Sequence, residues 1–163
     1  MTVFLFRHRD RLLAFWGLGF LALAWPPRGL PSSVVLLATG VALRLWARAH
    51  IGPHSRGRNL SAPVRCAGGP YAFLAHPLYV ANLLVIAALA LQIAGPSAAA
   101  AAALTGPTLL YVLLARAETR HLLATAPPER THRLPWAQRR MASEWASLLP
   151  PLALWLALGA LAR

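Results

Sequence analysis

The residue types best suited to chemistry lie in the middle of the chain, at residues 68–79, which read GGPYAFLAHPLY. Adjacent glycines allow a tight turn or a close approach of the backbone to a ligand. Pro77 suits the first turn of a helix, where its missing N–H would be unpaired in any residue, and it pushes His76 toward an extended conformation. Tyr71 and Tyr79 are placed to stack on a flat ligand or to close a pocket. The alternative is interfacial anchoring, because tyrosine also favours the depth of the lipid head groups.

A second candidate is the carboxylate of Glu118, in the segment RAETRHL at residues 116–122. The chain has only four acidic residues, which are Asp10, Glu118, Glu129 and Glu144. Because Glu118 follows an apolar block and has arginine neighbours, we expect it to be paired. Its partner is either a bound ligand or a local cation, and the candidate cations are Arg116, Arg120, Arg44 and Arg48. Arg44 and Arg48 share one helix face, where they either receive a phosphate or carboxylate or extend to the interface.

Apolar blocks supply the elements that must position these residues. They cover residues 12–25, 30–47, 77–94, 98–115 and 145–162. A spanning helix needs about 20 residues, within a range of about 17–25; the last three blocks meet this length and the first is short. Proline and glycine at residues 26–30 and 95–97 predict tight hairpins. The pattern predicts an all-α fold: a polytopic transmembrane bundle of about five helices, one domain over residues 1–163, with cytoplasmic-side loops forming a pocket.

The arginine distribution predicts the orientation of this bundle. If all the blocks span, the N-terminus and the polar segments at 49–76 and 116–144 lie on one side, together with 14 of the 16 cations. Only Arg28 and Arg163 fall on the other side. By the positive-inside rule the crowded face is cytoplasmic. A cleaved signal peptide, with a cleavage site at residues 22–24, is the competing interpretation of the N-terminus; we favour a retained helix, because no soluble domain follows that would need export.

Composition narrows the class of protein. The chain is 58% hydrophobic and 12% charged, with mean hydropathy +0.53, whereas soluble domains have about 25% charged residues. A net charge of +12 suits either nucleic acid or an anionic membrane, but the cations lie between apolar blocks and no nucleic-acid motif is present, so membrane lipids are the expected partner. Arginine without lysine, with much alanine, leucine and proline, favours a GC-rich bacterial genome and an inner-membrane location. The lone Cys66 and the histidine spacing predict no metal site.

The order of these motifs resembles a known family. A helix end reads LRLWA at residues 43–47, and a loop leads to GPY at residues 69–71 and to HPLY at residues 76–79. A helical hairpin then leads to Glu118, with Leu122 four residues later. This order is similar to that of the isoprenylcysteine carboxyl methyltransferases and their phospholipid N-methyltransferase relatives. The resemblance covers residues 40–123, roughly half of the chain.

The resemblance implies a membrane-embedded methyltransferase that uses S-adenosyl-L-methionine. Its methyl acceptor would be a lipid-like, isoprenoid or small hydrophobic molecule that enters between the helices. The cofactor pocket would face the cytosol, and the residues just before Cys66 would line it through their backbone. The cofactor-binding residues implied by position are Tyr71, His76, Pro77, Leu78, Tyr79 and Glu118. Arg116 is implied as the catalytic cation.

The chain departs from the family pattern at three positions. Ala75 stands where the family has arginine before His-Pro, and Leu114 stands where it has arginine four residues before the glutamate. Thr119 stands where it has a second acid directly after Glu118. Arg116 is the cation nearest to the lost arginine.

Three other functions fit the same residues. The first is a catalytically silent relative that serves as a structural or partner-binding membrane module, which the departures at Ala75 and Thr119 favour. The second is a membrane reductase of the sterol-reductase type with a nicotinamide cofactor, against which the short chain and the HPLY motif argue. The third is a small transporter; proton-coupled transport favours an acid within a span, and no apolar block contains one.

Overall fold

A computed structural model describes residues 2–23, 32–51, 65–125, 128–129 and 138–162. These residues are helical apart from short connections, which confirms the all-α class. The helices are α1 (Thr2–Leu23), α2 (Ser33–Ile51), α3 (Pro77–Ala94), α4 (Ala98–Thr125) and α5 (Gln138–Leu161). A short 3₁₀ helix covers Gly69–Ala72, and the two-residue strands β1 (Arg65–Cys66) and β2 (Pro128–Glu129) pair in parallel.

The predicted blocks locate the helices but not all of their ends. The bounds of α3 are those of the predicted block. In contrast, α1, α4 and α5 extend beyond their blocks through charged sequence, α4 as far as Thr125. Arginine and glutamate have good helix propensity, so an apolar block marks the part of a helix that suits lipid and not the whole helix.

Three of the described helices are long and apolar enough to cross a membrane, namely α2, α3 and α4. This finding is consistent with a membrane protein. The apolar part of α5, Trp145–Leu161, is shorter than a full span, and the first half of α1 carries four charged residues between positions 7 and 11. The crossing of the membrane by α1 and α5 therefore stays a prediction.

Helices α2 and α3 pack closely and run antiparallel. Gly40 makes the close approach possible, because a Cβ there would lie 3.0 Å from both the Ala81 carbonyl oxygen and Val85 Cγ2. Small residues at such crossings let helix backbones approach in lipid. Ser33 at the start of α2 donates a hydrogen bond of 2.9 Å to the side chain of Gln92, which lies near the end of α3.

The hairpin predicted at residues 95–97 joins α3 to α4. Gly95 caps α3 with φ +64°, and its N–H donates to the Leu91 carbonyl at 2.8 Å. The Ser97 hydroxyl accepts the Ala100 N–H at 3.3 Å, which satisfies one of the unpaired donors at the start of α4. Beyond the turn a buried cluster packs the two helices together; it consists of Ala90, Ala94, Ala100 and Ala103. Ala100 and Ala103, two of the six alanines at residues 98–103, thus pack between the helices, as their small side chains allow.

A proline inside α4 determines how α1 docks. Pro107 has no N–H, so the carbonyl of Ala103 lacks its normal helical donor. The indole Nε1 of Trp16 in α1 donates to this carbonyl at 2.8 Å. Gly106 makes room for the ring, since a Cβ there would lie 2.9 Å from Trp16 Cε2. The hydrogen bond therefore fixes the register of α1 against α4.

Helix α5 lies against α2 and α3. Trp155 Nε1 donates to Ser33 Oγ at 2.9 Å, and Ser33 is completely buried. Near the start of α5, Arg44 Nη2 donates to Ser147 Oγ at 3.2 Å. The start of α5 thus lies beside the end of α2, and α5 runs in the same direction as α1 and α3.

This alternation brings one end of every helix together. The starts of α1, α3 and α5 and the ends of α2 and α4 share one end of the molecule, which we call the polar end. The pairing of β1 with β2 joins the two long polar segments there. The polar end carries the residues singled out from the sequence.

Candidate functional site

His76 and Tyr79 are positioned by the start of α3. His76 is the N-cap of this helix, and Pro77 occupies its first turn, as its lack of an N–H favours. The His76 carbonyl accepts the N–H of Tyr79 at 3.1 Å. One turn separates the two side chains, whose rings stack with centroids 5.4 Å apart.

Glu118 lies near the end of α4 and joins this pair. The Tyr79 hydroxyl donates to Glu118 Oε2 at 2.9 Å, and His76 Nδ1 lies 3.4 Å from the same oxygen. The side chains of His76 and Glu118 are only 17% and 28% exposed. A carboxylate so far removed from water needs partners. Because both contacts use Oε2, the second oxygen keeps acceptor capacity for a bound molecule.

Thr119 fixes the other side of the histidine ring. His76 Nε2 lies 2.7 Å from Thr119 Oγ1. With the Nδ1 proton directed at Glu118, Nε2 accepts a hydrogen bond from the threonine hydroxyl. Two adjacent residues of α4 thus hold both nitrogens of one imidazole. The departure from the family's second acid at Thr119 therefore supplies a partner for His76.

A polar chain continues from Tyr79 along the inside of α3. Tyr79 stacks on Tyr111 of α4, with centroids 5.0 Å apart. Asn82 Nδ2 donates to the Tyr111 hydroxyl at 3.1 Å, and Asn82 Oδ1 accepts from Arg44 Nη1. Arg44 thus takes part in a network that links α2, α3 and α4.

Tyr71 reaches the same region from the 3₁₀ helix. That helix begins at Gly69 with φ +57°, and a Cβ there would lie 2.5 Å from the ring of His50. Glycine is therefore required at this position both for its backbone conformation and for space. Burial, together with the neighbouring Cys66 and Glu118, raises the pKa of Tyr71, so its phenol stays a neutral donor. The Tyr71 hydroxyl is buried and has no hydrogen-bond partner among the described residues.

The structure brings four of the sequence-predicted residues to one place: Tyr71, His76, Tyr79 and Glu118. Pro77 is fully buried and Leu78 is half-buried at the start of α3. Arg116 is exposed on α4, and within the described ranges it makes no ion pair with Glu118. The described partners of Glu118 are His76 and Tyr79, and not the local arginines weighed as alternatives. Of the few residues just before Cys66 that were expected to line the pocket, Arg65 lies in β1 and those up to residue 64 lie outside the described residues.

Asn82 and Tyr111 were not identified from the sequence as members of the cluster. Thr119 was treated only as the absence of a second acidic residue. A usable signal was present, since Asn82 follows Tyr79 by three residues and Tyr111 precedes Glu118 by seven, which are same-face spacings in a helix. Polar side chains within an apolar block also mark positions that face other helices. Among the described residues, no group of three or more histidine, cysteine or acidic side chains converges as metal ligands.

No family model, curated protein or solved structure matches the chain. The functional argument therefore depends on the chemistry of the cluster at the polar end.

Proposed function

We propose that the chain is a membrane-embedded methyltransferase that uses S-adenosyl-L-methionine and acts on a lipid-like, isoprenoid or small hydrophobic acceptor at the cytoplasmic membrane face. The observation that carries the proposal is a half-buried carboxylate with spare acceptor capacity, Glu118, near a buried hydroxyl without a partner, Tyr71. An unpaired buried polar group costs about 1–3 kcal/mol. A bound molecule that offers donors to Glu118 and an acceptor to Tyr71 removes that cost.

The chain's own residues have distinct roles in this proposal. Glu118 holds the ammonium or the ribose hydroxyls of the cofactor, and His76 and Tyr79 fix the orientation of the carboxylate through Oε2. Tyr71 donates its hydroxyl to a cofactor acceptor atom. Thr119 keeps the imidazole of His76 in place. Holding donor and acceptor in line supplies much of the rate in such a displacement, because effective molarities of about 10⁵–10⁸ M come from orientation alone.

When bound, the cofactor would supply a sulfonium methyl group to a lone pair of the acceptor, and the carbon–sulfur bond would break to leave a neutral thioether. The region resembling the family contains these residues, and the polar end lies where the apolar spans α3 and α4 stop. An acceptor dissolved in the bilayer therefore meets a cofactor that arrives from the water side.

The orientation is part of the same proposal. All five helices cross the bacterial inner membrane, and the N-terminus and polar segments are cytoplasmic. The alternating helix directions support it, because they gather at one end the helix termini that flank the arginine-rich segments, and the positive-inside rule directs that end to the cytosol. A cysteine introduced at Asn59 in a Cys66→Ser background will resist a membrane-impermeant maleimide in intact spheroplasts and react after lysis. Labelling in intact spheroplasts would overturn this topology.

Cofactor binding tests the function directly. Calorimetry on the detergent-purified protein will show saturable binding of S-adenosyl-L-methionine, with a loss of about tenfold or more in Glu118→Gln, because a charge-assisted hydrogen bond contributes about 1.5–3 kcal/mol. Tyr71→Phe tests the donor without changing ring volume. Arg120→Gln is the control, since it removes a charge from an exposed side chain two residues further along α4. Absence of binding to a folded wild-type protein would favour the silent membrane module.

A further inference from the structure

We infer that the site recognises the amino-acid end of S-adenosyl-L-methionine as a zwitterion. In this arrangement Arg9 of α1 holds the ligand's carboxylate, and Glu118 holds its ammonium. This inference rests on the proposed function. It adds a binding residue from a helix that the family resemblance does not reach.

The packing of α1 on α4 places Arg9 at the site. Trp16 contacts Ala103 and Gly106 near the start of α4. One turn nearer the polar end, Leu13 packs against the buried pair formed by Tyr111 and Leu114. The two helices run antiparallel, so each turn toward the start of α1 corresponds to a turn toward the end of α4.

The next turn of each helix carries an ionisable residue of opposite charge. Arg9 precedes Leu13 by four residues and Glu118 follows Leu114 by four, so each lies on the same helix face as its packed neighbour. Helical side chains point toward the N-terminus of their own helix, which directs Arg9 toward the polar end and Glu118 away from it along α4, so that the two side chains extend toward a common level. Arg9 is also near enough to Glu118 and Tyr79 for an electrostatic interaction with both.

Arg9 has the chemistry that a carboxylate requires. Its side chain is 24% exposed, and its Nε lies 3.6 Å from Oδ1 of the highly exposed Asp10. A guanidinium has five donors in a fixed fork, so it can contact Asp10 and a ligand carboxylate together, and the fork suits bidentate carboxylate binding. Arg116 lies exposed on α4. The cation that faces the Glu118 cluster thus comes from α1.

A site with a carboxylate and a guanidinium at the same end fits a molecule that carries an ammonium and an anion close together. The amino-acid end of S-adenosyl-L-methionine has both on one carbon. The phosphoethanolamine head group of a lipid shares this chemistry. The experiment separates these two sources.

Calorimetry will compare S-adenosyl-L-methionine with its decarboxylated analogue, which keeps the ammonium, sulfonium and adenosine. We expect wild type to prefer the full cofactor by about tenfold or more, the contribution of one charge-assisted carboxylate contact. Arg9→Gln will remove this preference by weakening cofactor binding to the level of the analogue, while the analogue's affinity changes by less than about twofold. Arg9→Lys will keep part of the preference. Arg7→Gln is the matched control, since Arg7 is exposed on the same helix, and it will behave as wild type.

The other possible results contradict either the role of Arg9 or the proposed function, and they can be told apart. Equal binding of cofactor and analogue by wild type, or a preference that survives in Arg9→Gln, would overturn the role of Arg9 and leave the proposed function intact. Displacement of the cofactor by phosphoethanolamine but not by free methionine would assign the zwitterion site to a lipid and overturn the inference. No binding of either nucleoside by folded wild type would overturn the proposed function, and this inference with it.

Discussion

The register of α1 against α4 depends on one hydrogen bond, from the Trp16 indole to the Ala103 carbonyl. The carbonyl needs this donor because Pro107 cannot supply the helical one. Trp16→Phe removes the donor and leaves the carbonyl unpaired, in addition to losing packing area. Pro107→Ala restores an N–H at the position that normally serves Ala103. We therefore expect Trp16→Phe to cost less stability when residue 107 is alanine.

The magnitude follows from the single bond involved. A buried group left without its partner costs about 1–3 kcal/mol, whereas hydrogen bonds between membrane helices contribute about 0.6 kcal/mol on average and at most about 1.7. We expect a coupling free energy of about 1 kcal/mol, roughly fivefold in the unfolding equilibrium. The packing lost with the indole is common to both backgrounds and cancels in the double-mutant cycle.

The assay is reversible unfolding in mixed detergent micelles of wild type, both single variants and the double variant. Unfolding is monitored by far-ultraviolet circular dichroism, which reports helix content and does not rely on the tryptophan signal. Leu18→Ala is a suitable control on α1, since this side chain is 64% exposed, and its cost should be the same in both backgrounds. An equal cost of Trp16→Phe with proline or alanine at 107 would refute the reasoning, because the indole would then not act through the Ala103 carbonyl.

Three further substitutions test other parts of the structure. Thr119→Val is expected to weaken cofactor affinity about fivefold by freeing one nitrogen of His76, with Thr119→Ser near wild type in calorimetry; equal loss in both would remove the hydroxyl from the account. Gly69→Ala is expected to lower the free energy of unfolding by more than about 1 kcal/mol through its positive φ and the clash with His50, and an unchanged midpoint would contradict that geometry. Gln92→Ala, at a side chain 3% exposed, is expected to destabilise the protein by about 1–3 kcal/mol in the same unfolding assay; a change below about 0.5 kcal/mol would mean that the buried amide stabilises nothing.

Periodicity and composition predicted the helices well in the segments where contact with lipid requires apolar residues. The block at residues 77–94 coincides with α3 because Pro77 and Gly95 end it chemically. The end of α4 and the start of α5 lie in polar sequence, where apolarity is not a guide and helix propensity decides, and the start of α1 lies on the far side of the charged residues 7–11. Those ends were therefore placed too early or too late.

The site was predictable only within each segment. The proximity of His76 and Tyr79 follows from one helical turn, and their meeting with Glu118 followed from the family resemblance. The contact between Thr119 and His76 and the proposed approach of Arg9 to Glu118 depend on the register between helices, which local spacing does not carry. The same limit applies to cations: Arg116 is the nearest to Glu118 in sequence, and a cation from another helix, such as the proposed Arg9, cannot be found from spacing along α4.

The most direct test of the central claim is a structure of the detergent-solubilised protein with S-adenosylhomocysteine, the product form of the cofactor. The account predicts density at the polar end, with a donor of the nucleoside or its amino-acid end within hydrogen-bond distance of Glu118 and an acceptor within reach of the Tyr71 hydroxyl. Density elsewhere in the molecule, or an empty cluster at saturating ligand, would contradict the assignment of this site.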